Sequence, residues 1–194
     1  MPVLHTSRVA TVEPELADLE RVYASLDIPG HRIELLDGQV TVSPTASRPH
    51  SRIVQRLQEA LWGRIQEHGW ELHANLTLHV AATRERLVPD LWICRSDAPQ
   101  FDENEVYGHG ALLVAEVVSS SSRHRDHVEK ARAYAKAGVP LYLIVDPCAV
   151  PATLMLRSDP ERDTYRSLTQ ADAGKALALP DPFGLELDIK NLLA

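Results

Sequence analysis

The spacing of apolar residues predicts a helix, a hairpin and a second helix in the first third of the chain. Residues 13–26 place apolar side chains at helical spacing. Two short strands are expected around Asp37-Gly38, because this dipeptide is a strong two-residue hairpin signal. Residues 47–68 repeat an apolar side chain every fourth position, which predicts a longer helix ending at Gly69.

The middle of the chain alternates between apolar and polar positions, as strands do. Residues 70–80 and residues 87–94 each predict one strand, and Pro89 predicts an irregular start for the second. The polar residues 97–109 predict a loop.

Two later segments are apolar at both odd and even positions, which is typical of strands covered on both faces. These are residues 111–118 and 139–145, and the small-residue segment 122–137 between them predicts a helix. Together they predict a right-handed crossover unit, and shorter strand-like pieces follow Pro147. The order of elements predicts an α/β (α+β) fold, a mixed β-sheet flanked by helices, in one domain over residues 1–194.

Composition and charge narrow the class of partner. The 194 residues include 20 Lys and Arg against 27 Asp and Glu, a net charge of −7. This excludes a protein surface that is strongly basic overall, so a polyanion such as nucleic acid would have to bind at a local basic patch. No segment approaches the ~18 apolar residues of a membrane span, so we expect no membrane partner. The two cysteines form no disulfide framework and no Cys-x-x-Cys motif, so a cytoplasmic location is expected. Cys94 and Cys148 are predicted as core residues, and the histidines show no zinc-site spacing.

Glu116 is the most informative departure from the apolar pattern. It interrupts a strand otherwise suited to burial on both faces. A buried carboxylate is costly without a partner, so such a residue usually has a counter-ion or a metal. Spacing alone is equally consistent with Glu116 lying in water at the carboxyl end of the strand.

Asp90 is a second carboxylate within an apolar strand segment. Pro89 withholds a backbone donor and can turn Asp90 out of the ladder, although a Pro-Asp pair alone is more typical of a turn. Adjacent strands could bring Asp90 and Glu116 to one point. Paired carboxylates suit a hard divalent cation such as Mg²⁺.

The helix after this strand carries polar residues on one stripe. Asp126, Lys130 and Tyr134 follow at intervals of four and share a face. A lysine on a packed face could point at the end of the sheet, whereas a solvated Asp–Lys pair is more common in isolation. The serines at 119–122 can cap this helix, and Asp126 with Glu129 could instead form a capping box.

Glu34 and His50 are further candidates. Glu34 shares its parity with Leu36 on the first hairpin strand, so an inward and a solvent-facing side chain are both consistent with the pattern. His50 lies near the start of the second helix, where a lone histidine is usually structural or exposed.

Four strings of the sequence resemble the Uma-two family of restriction-endonuclease-like proteins, within the PD-(D/E)xK superfamily. They are IELLDGQV, VPDLWI, LLVAEVVSSSSRHRDHVEKARAYAKAGVP and LYLIVDP. The resemblance implies a restriction-endonuclease-like core over about residues 30–150, with an N-terminal helix and a C-terminal β meander outside it. It also implies a metal site at one end of a mixed sheet.

The resemblance assigns roles to the candidate residues. Asp90 and Glu116 correspond to the two acids of the motif, and Glu34 to an early acid of the family. In the wider superfamily a lysine follows the second acid by two residues, where this chain has valine, so the resemblance implies Lys130 instead. His50 lies where many members have a histidine, and four serines replace the family's Ser-Pro-Ser-Thr.

These roles imply a mechanism. Asp90 and Glu116 would hold Mg²⁺ (or Mn²⁺), with Glu34 at a second metal or bridging water, to neutralise phosphate charge and lower the pKa of a bound water. Lys130 would orient that water or stabilise the developing charge, which makes Asp90, Glu116 and Lys130 the expected catalytic set. Substrate or accessory roles are expected for His50, Asp126, Arg123, Arg125 and Tyr134.

Two functions remain open from the sequence. The first is a Mg²⁺-dependent endonuclease acting on nucleic acid, with DNA as the expected substrate and a homodimer expected by analogy. The second is a non-catalytic nucleic-acid-binding or regulatory module that retains the nuclease fold. The acid–acid–lysine set favours the first, whereas the net charge and an aromatic content of 5% favour the second. A local basic rim is expected from Arg48, Arg52, Arg123, Arg125, Lys130 and Arg132.

Overall fold

Four α-helices lie within residues 15–194, the part of the chain that this computed structural model describes. They are α1 (Leu16–Ser25), α2 (Arg48–His68), α3 (Lys130–Lys136) and α4 (Ile189–Leu193). The helix predicted for 13–26 is thus confirmed in its described part, while residues 13 and 14 lie outside the described residues.

Thirteen strands accompany these helices in the described part of the chain. They are β1 (His31–Leu36), β2 (Gln39–Pro44), β3 (Trp70–His73), β4 (Thr77–Val80), β5 (Glu85–Leu87), β6 (Leu91–Arg95), β7 (Glu105–Tyr107), β8 (Ala111–Val117), β9 (Leu141–Asp146), β10 (Thr153–Glu161), β11 (Thr164–Asp172), β12 (Ala176–Leu179) and β13 (Leu185–Asp188).

The larger sheet contains the predicted crossover unit. Its strand order is β11-β10-β9-β8-β6-β3, and β8 and β9 are parallel neighbours connected through α3. The other neighbouring pairs are antiparallel, so the sheet is mixed. Every residue of β9 is buried, and so is every residue of β8 except the half-buried Leu112, which confirms the expected cover on both faces.

A smaller sheet of order β2-β1-β5-β4-β7 contains the predicted hairpin. Asp37 and Gly38 have φ values of 49° and 70°, and two successive positive φ values are what a tight two-residue hairpin turn requires. β4 and β7 pair in parallel, so this sheet is mixed as well. The strands after residue 150 extend the larger sheet or form the two-stranded β12-β13 ribbon.

Apolar side chains cover the larger sheet on both faces. On one face α2 buries an apolar side chain every fourth position, as the sequence predicts, and ends at Gly69 in the left-handed conformation. On the other face α3 packs through small residues such as Ala133, together with the ring of Tyr134. Because α3 lies directly on the sheet, its polar stripe faces β8.

Residues 70–80 differ from the single strand that their alternation predicts. They form β3 and β4, which belong to different sheets. Asn75 between them has a φ of 64°, a left-handed conformation that asparagine tolerates, and the chain leaves the larger sheet there.

The other two segments of the middle region also differ in part. The strand predicted over 87–94 is interrupted around Pro89, so β5 ends at Leu87 and β6 begins at Leu91. The predicted loop over 97–109 contains the short strand β7, which pairs with β4. Alternation alone does not show these changes of sheet, because the next pairing partner is distant in sequence.

Candidate active site

Glu116 lies near the end of β8 and is buried, with 2% of its surface exposed. Its Oε1 accepts hydrogen bonds from Lys130 Nζ at 2.8 Å and from the Tyr134 hydroxyl at 2.7 Å. The expectation of a solvated carboxylate at the strand end is therefore wrong. The alternative of a buried carboxylate with a counter-ion is confirmed.

Lys130 joins Glu116 to a second buried carboxylate, Glu34 of β1. Lys130 Nζ lies 2.9 Å from Glu34 Oε1, which also accepts from the backbone N–H of Val88 at 2.9 Å. Lys130 is only 4% exposed, so the solvated Asp–Lys pair is not formed. The Glu34 side chain points inward, which is one of the two orientations that the sequence pattern of β1 allowed.

Asp90 occupies the interruption between β5 and β6. Its Oδ1 accepts from Arg32 at 2.7 Å, and its Oδ2 accepts from the backbone N–H of Val117 at 2.9 Å. His50 Nε2 lies 3.0 Å from the same Oδ2. The bend at Pro89 thus turns Asp90 toward the end of β8 rather than into solvent.

Asp126 lies in a π-helical segment, Arg125–Glu129, at the start of the helix that continues as α3. Its carboxylate accepts from the Ser122 hydroxyl, and its backbone carbonyl accepts from the buried Tyr142 hydroxyl at 2.7 Å. The capping box of Asp126 with Glu129 is not formed. Single π-helical turns are frequent at functional sites.

These side chains meet in a cleft of about 530 Å³. Four carboxylates, three cations and one imidazole contribute to its lining: Glu34, Asp90, Glu116, Asp126, Arg32, Arg125, Lys130 and His50. With every carboxylate ionised and the imidazole neutral, the charged groups leave a surplus of one negative charge. A divalent cation would reverse the sign of that surplus and make the cleft attractive to a phosphodiester.

Burial and neighbouring charges shift the pKa values of the acids in opposite directions. Burial raises the pKa of Glu116 to about 8; Lys130 opposes this, while Asp90 and Asp126 add to it. Burial also acts to raise the pKa of Asp90, but His50 and Arg32 hold it below its usual range. The site therefore contains one firmly ionised carboxylate and one that titrates near neutral pH.

The ammonium group of Lys130 stays charged despite its burial. Burial acts to lower the pKa of Lys130, but the carboxylates of Glu116, Glu34 and Asp126 raise it above its usual value. Burial and the nearby Glu116 also raise the pKa of Tyr134 well above its usual value, so its hydroxyl remains a donor. Both groups hold the Glu116 carboxylate in place.

We expect the metal-free protein to lose stability relative to a Glu116→Gln variant as the pH rises from about 5 to about 8. The pKa of Glu116 is raised from 4.5 to about 8 on folding, so the folded protein holds an extra proton across this window. The stabilisation from that proton is complete below pH 4.5 and is lost as the pH passes through about 8. Urea unfolding in EDTA across this range measures the difference, and parallel pH profiles for the two proteins would contradict it.

The donor set of the cleft fits a hard divalent cation. Glu116 accepts both of its hydrogen bonds at Oε1, and no described residue donates to Oε2. Within residues 15–194, no three carboxylate or imidazole ligand atoms of the cleft lie within 4.8 Å of one another, and Lys130 stands between Glu34 and Glu116. Mg²⁺ commonly takes one or two carboxylates and keeps several waters, so it needs no complete protein cage.

Four of the six residues predicted for the basic rim do not line the cleft: Arg48, Arg52, Arg123 and Arg132. Arg123 is half-exposed and lies 3.3 Å from the buried Asp146, and Arg132 lies 3.9 Å from Asp163 on the surface. Arg125 does line the cleft and lies 4.0 Å from Glu34. The local basic rim is therefore narrower than the sequence indicates.

Sequence reasoning missed Arg32 and misplaced Cys148. Arg32 has the same parity on β1 as Glu34, and that shared parity is the signal that could have identified it. Cys148 is exposed and lines the cleft, so its prediction as a core residue is wrong, because β9 ends at Asp146 and the chain turns there. Cys94 is buried as predicted.

A solved structure shares this fold. The chain is similar to a "putative nuclease belonging to DUF820" from Anabaena variabilis ATCC 29413, with a TM-score of 0.67 and 16% sequence identity, over 90% of this chain and 96% of the other. At this identity the likeness shows the fold, and it confirms the mixed sheet flanked by helices. No curated protein matches the chain.

A family model matches the sequence over residues 16–190, nearly the whole described part. Its description is "Putative restriction endonuclease". No helix within residues 15–194 is both long and apolar enough to cross a bilayer. The match confirms the resemblance seen in the sequence motifs and supports a nuclease-like function, and the chain accordingly belongs to the Uma2 family.

Proposed function

We propose that the protein is an endonuclease that hydrolyses phosphodiester bonds in DNA with the help of Mg²⁺ or Mn²⁺. The observation that supports this most is that four buried carboxylates line one open cleft, and that two of them, Glu34 and Glu116, bind the same buried lysine. Such a group of acids is costly to bury and contributes no apolar packing. A role in binding a cation accounts for that cost.

Asp90 and Glu116 are the residues that would hold the cation, with Glu34 available to a second ion or a bridging water. When bound, the cation supplies charge neutralisation of the phosphate and an acidified water. Asp90 is already ionised at neutral pH because of its partners, so it presents a charged ligand without first losing a proton. Glu116 accepts both of its hydrogen bonds at Oε1, so its Oε2 is the oxygen available to an ion.

Lys130 acts in this proposal as a positioning residue. Its Nζ binds one oxygen of Glu116 and one of Glu34, so it fixes the distance between the two carboxylates and partly compensates their charge. The resemblance implies instead a direct role for Lys130, in orienting the water or in stabilising the developing charge. Arg32 and Arg125, both about one-fifth exposed, are the cations of the cleft best placed to contact a phosphate.

The net charge of −7 limits how the protein would bind DNA. Broad non-specific binding needs many lysine and arginine contacts to phosphates, and its affinity falls steeply with salt. Here the substrate would be held by the cation and by a few arginines at the cleft. The expected homodimer stays a prediction.

A non-catalytic module that retains the fold is the second candidate. The observation that favours it is that both oxygens of Asp90 already have partners, in Arg32, Val117 and His50. A cation at Asp90 would have to share or displace one of them. If Asp90 instead only anchors Arg32 and the end of β8, the cleft could bind nucleic acid without cutting it.

Cleavage and metal titration together separate the two candidates. We expect supercoiled plasmid to be nicked or linearised with Mg²⁺ or Mn²⁺ and left intact in EDTA. Calorimetric titration should show the same ions binding to wild-type protein and binding more weakly to Asp90→Asn. Single-stranded DNA and RNA tested in parallel identify the substrate class. Nucleic-acid binding with neither ion uptake nor cleavage would support the non-catalytic module instead.

A further inference from the structure

We propose that Glu71, His73 and Cys94 form a second metal site, which takes a borderline divalent cation such as Zn²⁺. These residues lie on the edge strand β3 and on its neighbour β6, outside the lining of the cleft described above. One carboxylate oxygen, one imidazole nitrogen and the thiol sulfur all lie within 4.8 Å of one another. His73 Nε2 is 3.3 Å from Glu71 Oε2.

The register of the two strands brings these side chains together. Glu71 is paired with Cys94 across the ladder, and His73 with Trp92. Residues that alternate along a strand share a face, so Glu71 and His73 project to the same side as Cys94. Three ligands on two paired strands need little rearrangement, because the backbone already fixes their spacing.

Two neighbouring features hold the ligands in place. The ring of His73 packs against Trp92 with centroids 4.6 Å apart, and the Trp92 indole N–H donates to the carbonyl of Leu76 at 3.2 Å. The pairing of β6 with β8 shifts register between Ile93 and Cys94. Such an irregularity re-aims the side chain beside it and is common next to binding sites.

The Glu71, His73 and Cys94 ligands favour a different ion from the one that the carboxylates of the cleft would bind. Zn²⁺ binds thiolate, imidazole and carboxylate ligands at about 2.0–2.3 Å, so its ligand atoms lie roughly 3–4 Å apart. The three groups need to close by about an ångström at most. Binding releases the thiol proton to solvent and leaves Cys94 as the thiolate, and with Glu71 ionised the ion and its ligands carry no net charge. Hard Mg²⁺ prefers oxygen ligands and has little affinity for a thiolate.

A metal at this position would tie the edge strand β3 to the body of the sheet. Sheet edges expose unpaired backbone groups, and β3 is followed at once by the left-handed Asn75 where the chain changes sheet. Zn²⁺ should therefore raise the thermal midpoint of unfolding, because it binds only when β3 is docked. Glu71 is half-exposed, which gives the ion a route from solvent and leaves a fourth position for water.

Co²⁺ is the probe that tests this site, because thiolate-bound Co²⁺ has a charge-transfer absorption that oxygen-bound Co²⁺ lacks. We expect the band in wild-type protein and in Glu116→Gln, and its loss in Cys94→Ser. His73→Ala alters a half-buried position, should fold normally, and should weaken Co²⁺ binding at least tenfold. Cys148→Ser is the matched control, since Cys148 is the other free thiol and lines the acidic cleft.

Zn²⁺ added to the same proteins provides the second measurement. It should displace Co²⁺ and raise the unfolding temperature of wild-type protein and of Cys148→Ser, and the rise should be smaller in His73→Ala. A wild-type protein without the thiolate band, or a band that persists in Cys94→Ser and disappears in Cys148→Ser, would overturn the proposal. Because Glu116→Gln keeps this site and loses the other, failure here is distinguishable from failure of the proposed nuclease function.

Discussion

Replacing Glu116 with glutamine should reduce metal-dependent DNA cleavage by on the order of 10³-fold or more. A cation at a phosphoryl group contributes several kcal/mol to the transition state, and each 1.4 kcal/mol is about tenfold in rate. Glutamine keeps the size of the side chain and can still accept from Lys130 and Tyr134 through its carbonyl. It removes the negative charge that would hold the ion.

The controls for this variant separate lost chemistry from lost folding. Glu59→Gln makes the same change on the exposed face of α2 and should leave cleavage unchanged. Circular dichroism and the thermal midpoint should show that Glu116→Gln remains folded, since Lys130 keeps Glu34 as a counter-ion. Metal titration should show weaker binding in proportion to the lost activity. A folded Glu116→Gln protein that cleaves at the wild-type rate would rule out the assigned role.

The buried residues Glu116 and Lys130 were predictable from the pattern of apolar and polar residues next to them in the sequence. Glu116 stood out because it breaks a strand whose neighbours are apolar on both parities, and Lys130 because it lies on the stripe that small residues bring against the sheet. These signals depend on residues a few positions apart. The pairing of Lys130 with both Glu116 and Glu34 then follows from α3 lying on the parallel β8-β9 pair.

Features that depend on distant pairing were not predictable in the same way. Asn75 splits an alternating segment between two sheets, which becomes visible only when the partners of β3 and β4 are known. The Glu71–His73–Cys94 cluster joins residues 21 or more positions apart across a ladder, so it shows no zinc-site spacing. The Tyr142 hydroxyl, which donates to the carbonyl of Asp126 within the π-helical turn, comes from the next strand.

Replacing Lys130 with methionine should destabilise the protein by about 3–5 kcal/mol above about pH 8, where Glu116 is ionised; this is the range observed when one partner of a buried ion pair is removed. Methionine preserves most of the volume of the side chain, so the packing of α3 on the sheet is retained. The loss arises because Glu116 and Glu34 remain buried without the ammonium group that lies 2.8 and 2.9 Å from them. Urea unfolding above about pH 8 measures this change.

A double variant shows whether the loss comes from the carboxylates. In Glu116→Gln the site already lacks one buried charge, so Lys130→Met should cost less in that background than in wild-type protein. Unfolding free energies of the two single variants and the double variant give the coupling between the two side chains, which should exceed about 1 kcal/mol. Additive effects would mean that Lys130 does not act through Glu116. A large coupling would instead mean that much of the ammonium group's stabilising effect is exerted through Glu116, as expected for a positioning residue whose charge keeps two buried carboxylates together at the end of the sheet.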